Sequence, residues 1–419
     1  AAAEKIFGTS VWALRLPAVL AGLLTVLGSY LLVRSLFNSW EIAALSAFFL
    51  SVSSWHIIYS RLGISAVFAP LLLTWGAFFF WHALSRGQTI TFVLGGISVG
   101  LGMYSSSALA LTPLLFLVTA LVYRQAIKRD FTHTRYLTSR IQMLKGLGWF
   151  FFALFAVASP LVAQLAQSSA DAAWWFSDIS LPFTGWNVSL LFWPVQVLAA
   201  VGFIRSIVKF FKSRFAHVHF STVHTFLLFW FLTTLGPALT TGNAALLWQL
   251  AVLPVLCVFA AEGLWWLANV AEDWYHARDV HLLCAPGEPG KPRRHALCAR
   301  ESVAVVATVL ILLLGSLTIT EYNRYFFQWA SNTNVTRLFP SNTAQVLETI
   351  RRTPDSIIKY IVVPTAAAGQ DPFLAAQPIM FLTQTSTPEQ QKAKNLSYLT
   401  REQYEGRQYR RGAFVIPLE

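Results

Sequence analysis

The sequence predicts an all-α polytopic membrane protein that ends in a small α/β extracytoplasmic domain. Three observations predict it. Ten apolar runs follow one another between residues 18 and 320, each near the roughly 20 residues that a bilayer core requires. Lys and Arg gather in alternate loops between those runs. After residue 320 the apolar runs stop, and stretches rich in Asn, Gln and Thr begin. The overall balance agrees: 55% of residues are hydrophobic and 12% charged, with a mean hydropathy of +0.54, against about 25% charged in a soluble domain. The chain therefore reads as a multi-pass domain over 1–320 and a tail domain over 321–419.

The runs lie at about 18–33, 41–58, 66–84, 89–104, 107–123, 146–166, 188–208, 223–240, 244–268 and 302–320. Pro17 suits the first turn of the first helix. Ten spans put both ends of the chain on one side, and charge says which. Between spans, every Lys and Arg but one falls after an odd-numbered span, from Arg34 and Arg86 through the groups at 124–145, 205–214 and 278–300. The exception is Arg61. The positive-inside rule makes the basic loops cytoplasmic, so residue 1, the turn at 51–66 and the tail face outward. The net charge of +12 is thus accounted for without nucleic acid. Three cysteines make no disulfide framework. Ala1 in place of Met, with no basic leader, suggests that the chain starts inside a longer protein.

The turn at 51–66 holds Trp55, His56, Tyr59 and Arg61 within seven residues. Trp and Tyr suit a membrane–water boundary, having an apolar body and a polar tip. A charged Arg between two spans must reach water, a headgroup or a phosphate. The plainer reading is an interfacial belt with one snorkelling cation. If 55–61 stays helical, Trp55 and Tyr59 share a face, which either lines a groove for a lipid chain or simply packs. Arg15, at the outer end of the first span, is a second candidate for an anion or a headgroup.

Other chemistry-bearing residues are sparse. Asp171 and Asp178 lie in the long outer loop at about 167–187, and a solvated loop with interfacial tryptophans explains them better than a carboxylate facing a substrate or metal, since nothing fixes their geometry. Glu262 sits near the cytoplasmic end of its span, where snorkelling or an interhelical hydrogen bond is expected. His281, Cys284, His295 and Cys298 repeat His-x2-Cys, but the spacing matches no well-known zinc pattern, so no metal site is assigned. In the tail, Ser341-Asn342-Thr343 followed by 344–352 reads as a capped helix, and 357–363 and 414–416 as strands.

The order of motifs resembles a family. Phe7-Gly8-Thr9-Ser10-Val11-Trp12-Ala13-Leu14-Arg15-Leu16-Pro17 opens it, and Ser53-Ser54-Trp55-His56 and Tyr59-Ser60-Arg61 follow. Gly236-Pro237-Ala238-Leu239-Thr240 comes before Leu250-Ala251-Val252-Leu253-Pro254, and Tyr325-Phe326-Phe327-Gln328-Trp329-Ala330 follows the last span. In this order the chain, from residue 5 to about 335, resembles bacterial members of the GT-C glycosyltransferase superfamily. The similar group is that of dolichyl-phosphate-mannose–protein mannosyltransferases and lipid A aminoarabinose transferases.

The resemblance implies transfer of a hexose or pentose from a polyprenyl-phosphate donor to a protein, lipid or glycan acceptor at the outer face of the plasma (inner) membrane. It also implies a principal carboxylate in a first outer loop, which would precede residue 1. The chain would then lack the first helix and that loop, and the piece alone would be inactive. No cofactor is fixed by these residues; a divalent cation is compatible with the reaction. The candidates for the donor's phosphate and lipid are Arg61, Arg15, His56, Tyr59 and Trp55. Two departures stand out: the turn at 60–66 has no acid, and Ser65 stands where many relatives carry a second Arg. The competing readings are a transporter or flippase of lipid-linked sugars, an oligosaccharide-transferring relative, and a non-catalytic membrane scaffold. A transporter would show internal repeats and broken helices. The oligosaccharide-transferring relatives carry a Trp-Trp-Asp-Tyr-Gly motif, which Trp174-Trp175-Phe176 does not match.

Overall fold

The computed structural model describes residues 11–62, 65–106, 109–129, 140–167, 192–213, 218–240, 245–283, 293–331, 342–364, 373–406 and 413–418. Two compact units emerge, one from Ala18–Asp178 with Ser189–Tyr322, the other from Ala1–Pro17, Ile179–Val188 and Asn323–Glu419.

The larger unit is helical. Its helices are α1 (Val11–Phe37), α2 (Trp40–Val52), α3 (Ser54–Leu62), α4 (Phe68–Arg86), α5 (Thr89–Gly102), α6 (Thr112–Arg129), α7 (Arg140–Gln167), α8 (Trp193–Ser213), α9 (Val218–Thr240), α10 (Ala245–Leu283) and α11 (Arg293–Asn323). The described part of each of the ten apolar runs falls largely on one of these, the second on the pair α2 and α3. Among the described residues, six helices are long and apolar enough to cross a membrane, or seven if α2 and α3 form one span bent by 59°. Helix α5 and the 222–235 part of α9 are apolar but shorter. Pro17 sits inside α1 rather than in its first turn, because the helix begins earlier, at Val11. Its ring removes a single backbone bond, which a long apolar helix can spare.

Local chemistry ends the helices where the sequence turns. Asn38 and Ser39 separate α1 from α2, with the Ser39 hydroxyl accepting from the Ile42 N–H at 3.3 Å as an N-cap. Gly87, at φ 71°, closes α4 in the left-handed conformation that favours glycine.

Side-chain contacts set the directions of the first spans. Gly22 of α1 meets His56, and Ser29 meets Ser46 at 3.4 Å, so α1 and α2–α3 run antiparallel. The indole N–H groups of Trp75 and Trp81 donate to the carbonyls of Leu24 and Ser35, so α1 and α4 run parallel. The Gly22 region of α1, helix α3 and the start of α4 therefore share one end of the bundle, and Phe37 and Arg86 lie toward the other. Phe80, Phe92, Phe116, Phe150 and Phe226 meet between spans at centroid distances of 4.9–6.4 Å. Glycines allow the closest approaches. A Cβ at Gly96 would overlap the Phe150 carbonyl, and one at Gly202 the Phe259 carbonyl; small residues of this kind let apolar helices pack on their backbones. Leu23, Val309, Ile311 and Leu312 are exposed, which suits surfaces solvated by acyl chains.

The smaller unit carries a six-residue π-helix (Arg324–Trp329), α12 (Thr343–Arg352), β1 (Lys359–Val363), α13 (Gln377–Leu382), α14 (Pro388–Ala393), β2 (Leu396–Thr400), α15 (Arg401–Glu405) and β3 (Phe414–Pro417). The strands form a parallel sheet in the order β2-β1-β3, with Ile361 opposite both Tyr398 and Ile416. Val346, Ile350, Ile361, Ile379, Leu396 and Ile416 form its core. Strand β1 starts two residues later than the apolar pattern suggested, because the Ile357 N–H turns back to the Pro354 carbonyl. Strand β2 was not anticipated; Leu-Ser-Tyr-Leu-Thr gains its stability from pairing with β1.

Candidate active site

The site is built around the break between α2 and α3. Ser53 leaves the helical conformation at ψ 120°, which ends the α2 ladder and lets α3 turn by 59°. The first turn of α3 is then held by two distant spans. The Ser54 N–H donates to the Glu321 carboxylate at 3.2 Å, and its hydroxyl donates to the same Oε2 oxygen. Nε2 of His56 lies 3.1 Å from the Gly22 carbonyl of α1. Gly22 is needed for this contact, since a Cβ there would overlap the Ser60 side chain. Ser60 in turn donates to the His56 carbonyl at 2.6 Å.

Trp55 and Tyr59 stack with centroids 5.7 Å apart and ring planes 16° apart. Their shared face follows from helical spacing. Both are buried, so they pack α3 into the bundle. His56 is buried as well, with no hydrogen-bond partner for Nδ1 among the described residues. Arg61, in the last turn of α3, is exposed. Arg15 is exposed on the early turns of α1. The structure thus brings Trp55, His56 and Tyr59 together under the helix and sends Arg61 to its surface.

Glu262 makes the interhelical contacts expected of it, and they are ionic. One oxygen lies 2.7 Å from Lys209 Nζ and 3.5 Å from Arg205 Nε; the other accepts from Ser206 at 3.1 Å. Ser206 also meets His224 Nδ1 at 3.2 Å, which joins α8, α9 and α10. The Arg205 guanidinium lies 5.2 Å above the Trp266 ring. Close backbone packing at Gly202 and Gly263 makes these short reaches possible.

Asp171, Asp178 and Cys284 lie outside the described residues, and so do the side chains of His281, His295 and Cys298. Among the described residues, no group of three or more His, Cys, Asp or Glu could hold a metal ion. Glu321 was missed by sequence reading. The signal is an acid directly after the last apolar run, which ends at Thr320; intramembrane acids are functional candidates by default, and Glu321 falls just past that limit.

Residues 1–149 match the family model described as dolichyl-phosphate-mannose-protein mannosyltransferase. This is one of the families that the order of motifs implied, and the match covers Arg15 and the whole of α3. No curated protein matches the chain. Among solved structures, it is similar to the archaeal oligosaccharyltransferase AglB from Archaeoglobus fulgidus in complex with an inhibitory peptide and a dolichol-phosphate. The identity is 14% over 86% of this chain and 53% of that one, with a TM-score of 0.46. It is also similar to ArnT from Cupriavidus metallidurans bound to undecaprenyl phosphate, at 16% identity over 93% of this chain and 76% of that one, with a TM-score of 0.44. The chain spans about half the length of the AglB chain it matches.

Proposed function

We propose that this chain is part of an integral-membrane glycosyltransferase. It moves a hexose or pentose from a polyprenyl-phosphate donor to a protein, lipid or glycan acceptor at the outer face of the plasma membrane. One observation carries the reading: the family match contains the broken second span, and the short helix after the break ends in an exposed Arg61. As the glycosidic bond breaks, the phosphate leaving group gains negative charge. A cation preset at that point stabilises the transition state more than the ground state. Arg61 takes this role, and Arg15, on the early turns of α1, is a separate candidate for an anion or a headgroup. His56, Trp55 and Tyr59 serve by fixing α3. The catalytic carboxylate is assigned to no described residue.

The break at Ser53 also suits a transporter, whose binding sites form at discontinuous helices. Among the described residues it is the one bent pair, whereas transporter repeats supply such breaks in corresponding halves.

The test is transfer of a labelled sugar from a polyprenyl-phosphate donor in membranes holding the full-length protein. Arg61→Ala is expected to lower turnover by roughly 100- to 1,000-fold at normal expression, by analogy with removing an oxyanion donor. Arg61→Lys keeps the charge but loses the forked geometry, so it recovers only part. Wild-type turnover for Arg61→Ala would return the residue to a headgroup anchor.

A further inference from the structure

We propose that Glu321 is a positioning residue for the Arg61 turn: its carboxylate clamps the start of α3 to the end of the last span and so fixes where Arg61 stands. The inference rests on the role given to Arg61 above.

The break explains why a clamp is needed. An unbroken helix transmits its direction from turn to turn through its backbone bonds. At Ser53 that ladder is interrupted, so α2 does not dictate the direction of α3. Side chains must do it. His56 ties α3 to α1 through the Gly22 carbonyl, and Ser54 ties it to α11 through Glu321. Glu321 suits the task chemically. It is 7% exposed, and a buried carboxylate is costly unless hydrogen-bonded. The start of α3 offers a backbone N–H, the Ser54 hydroxyl and the positive end of a nine-residue helix. The carboxylate and the helix end each need the other, and the span carrying Glu321 becomes a fixed post for α3.

Leverage makes the clamp matter to chemistry. Both ties are in the first turn of α3, and Arg61 is in its last. Seven residues of helix rise ~10 Å, so a tilt of about 10° at Ser54 moves Arg61 by roughly 2 Å. A misplacement of about 1 Å can cost ~100-fold in rate, and a guanidinium that grips phosphate by its fork is sensitive to direction as well as distance.

A residue that acts through Arg61 loses its effect when Arg61 is absent, whereas a merely structural residue keeps it. The experiment is therefore a double-mutant cycle in the transfer assay with the full-length protein. Glu321→Ala is expected to lower turnover by about 10- to 100-fold in the wild-type background and by less than about twofold in the Arg61→Ala background. Glu321→Gln keeps an acceptor for Ser54 and is expected to restore most of the activity. Additive losses, or wild-type turnover for Glu321→Ala, overturn the proposal.

If Glu321→Ala does not accumulate in membranes, Ser54→Ala takes its place. It removes only the hydroxyl, with an expected loss of about threefold that vanishes without Arg61; an additive loss again overturns the proposal. A spin label at an Arg61→Cys site separates the two readings. If Arg61 proves dispensable for transfer, the glycosyltransferase role of Arg61 fails, while greater label mobility on Glu321→Ala still shows the clamp at work. A label unmoved by Glu321→Ala sinks the clamp itself.

Discussion

Glu262 and Glu321 are both buried carboxylates, 2% and 7% exposed, and they sit toward opposite ends of α1. Phe37, at the end of α1, packs its ring 6.1 Å from His224 in the Glu262 cluster, while Gly22, nearer its start, meets His56 beside Ser54. Around Glu262 the partners are the cations Arg205 and Lys209 on a neighbouring span. Ser54 brings to Glu321 a hydroxyl and the N–H at the start of a short helix. The difference teaches what each end is for. Opposite charges on long, tightly packed helices tie spans together, and losing one leaves a buried charge uncompensated. A carboxylate on a helix end gives direction to a mobile-sized piece of backbone, and its loss costs geometry more than stability.

The orientation of the two ends is the first thing to test, because its outcome is all or none. The Arg61 end and the tail are expected to face outward, so cysteines placed at Ser65 and Ser386 react with an impermeant thiol reagent on intact cells and one at Ser139 does not. Labelling at Ser139 alone reverses the assignment and puts the Arg61 turn on the wrong side for a polyprenyl-phosphate donor. Next in size is the 100- to 1,000-fold loss expected for Arg61→Ala, which belongs wholly to the Glu321 end; Lys209→Met at the other end should leave donor use within about twofold at equal expression, since Lys209 ties spans together through Glu262, away from the Arg61 turn.

Stability should divide the other way. Glu262→Ala is expected to destabilise by about 2–3 kcal/mol, toward the low side for a buried pair because Arg205 and Lys209 are each 30% exposed. Glu321→Ala should cost only about 1–2 kcal/mol, because removing the buried charge offsets part of the two hydrogen bonds lost with it. Melting temperatures of the purified variants in one detergent check both, and equal losses would erase the distinction between a tie and a guide. The smallest effect is the coupling between Lys209→Met and Glu262→Gln, expected at about 1 kcal/mol in the same assay. A coupling of zero would mean that Glu262 is held by Ser206 and packing rather than by charge.

Much of the fold was legible because burial in a membrane writes itself into sequence. Runs such as 68–84 and 245–268 must be apolar along most of their length, with a charge such as Glu262 admitted only where partners meet it, and each lies on a helix. Helical spacing also placed Trp55 over Tyr59 before any contact was known. The tail was legible in part: α12, β1 and β3 carry their own apolar pattern, although no side chain caps the start of α12 as its sequence suggests, while β2 is a strand by virtue of its neighbour.

The candidate site was legible only as a cluster along the chain. Composition and the spacing of apolar and basic residues determined, by themselves, a multi-pass helical protein with Arg61 as the one cation along the 51–66 turn. Both follow from local rules, the cost of exposing polar groups to lipid and the bias of Lys and Arg among loops. Only the tertiary structure decided which residues hold that turn. Ser54 and Glu321 lie 267 positions apart, and Gly22 and His56 lie 34 apart. No periodicity links such pairs, because a hydrogen bond between spans depends on how whole helices pack, and that is settled by glycine contacts and aromatic shapes summed over the bundle.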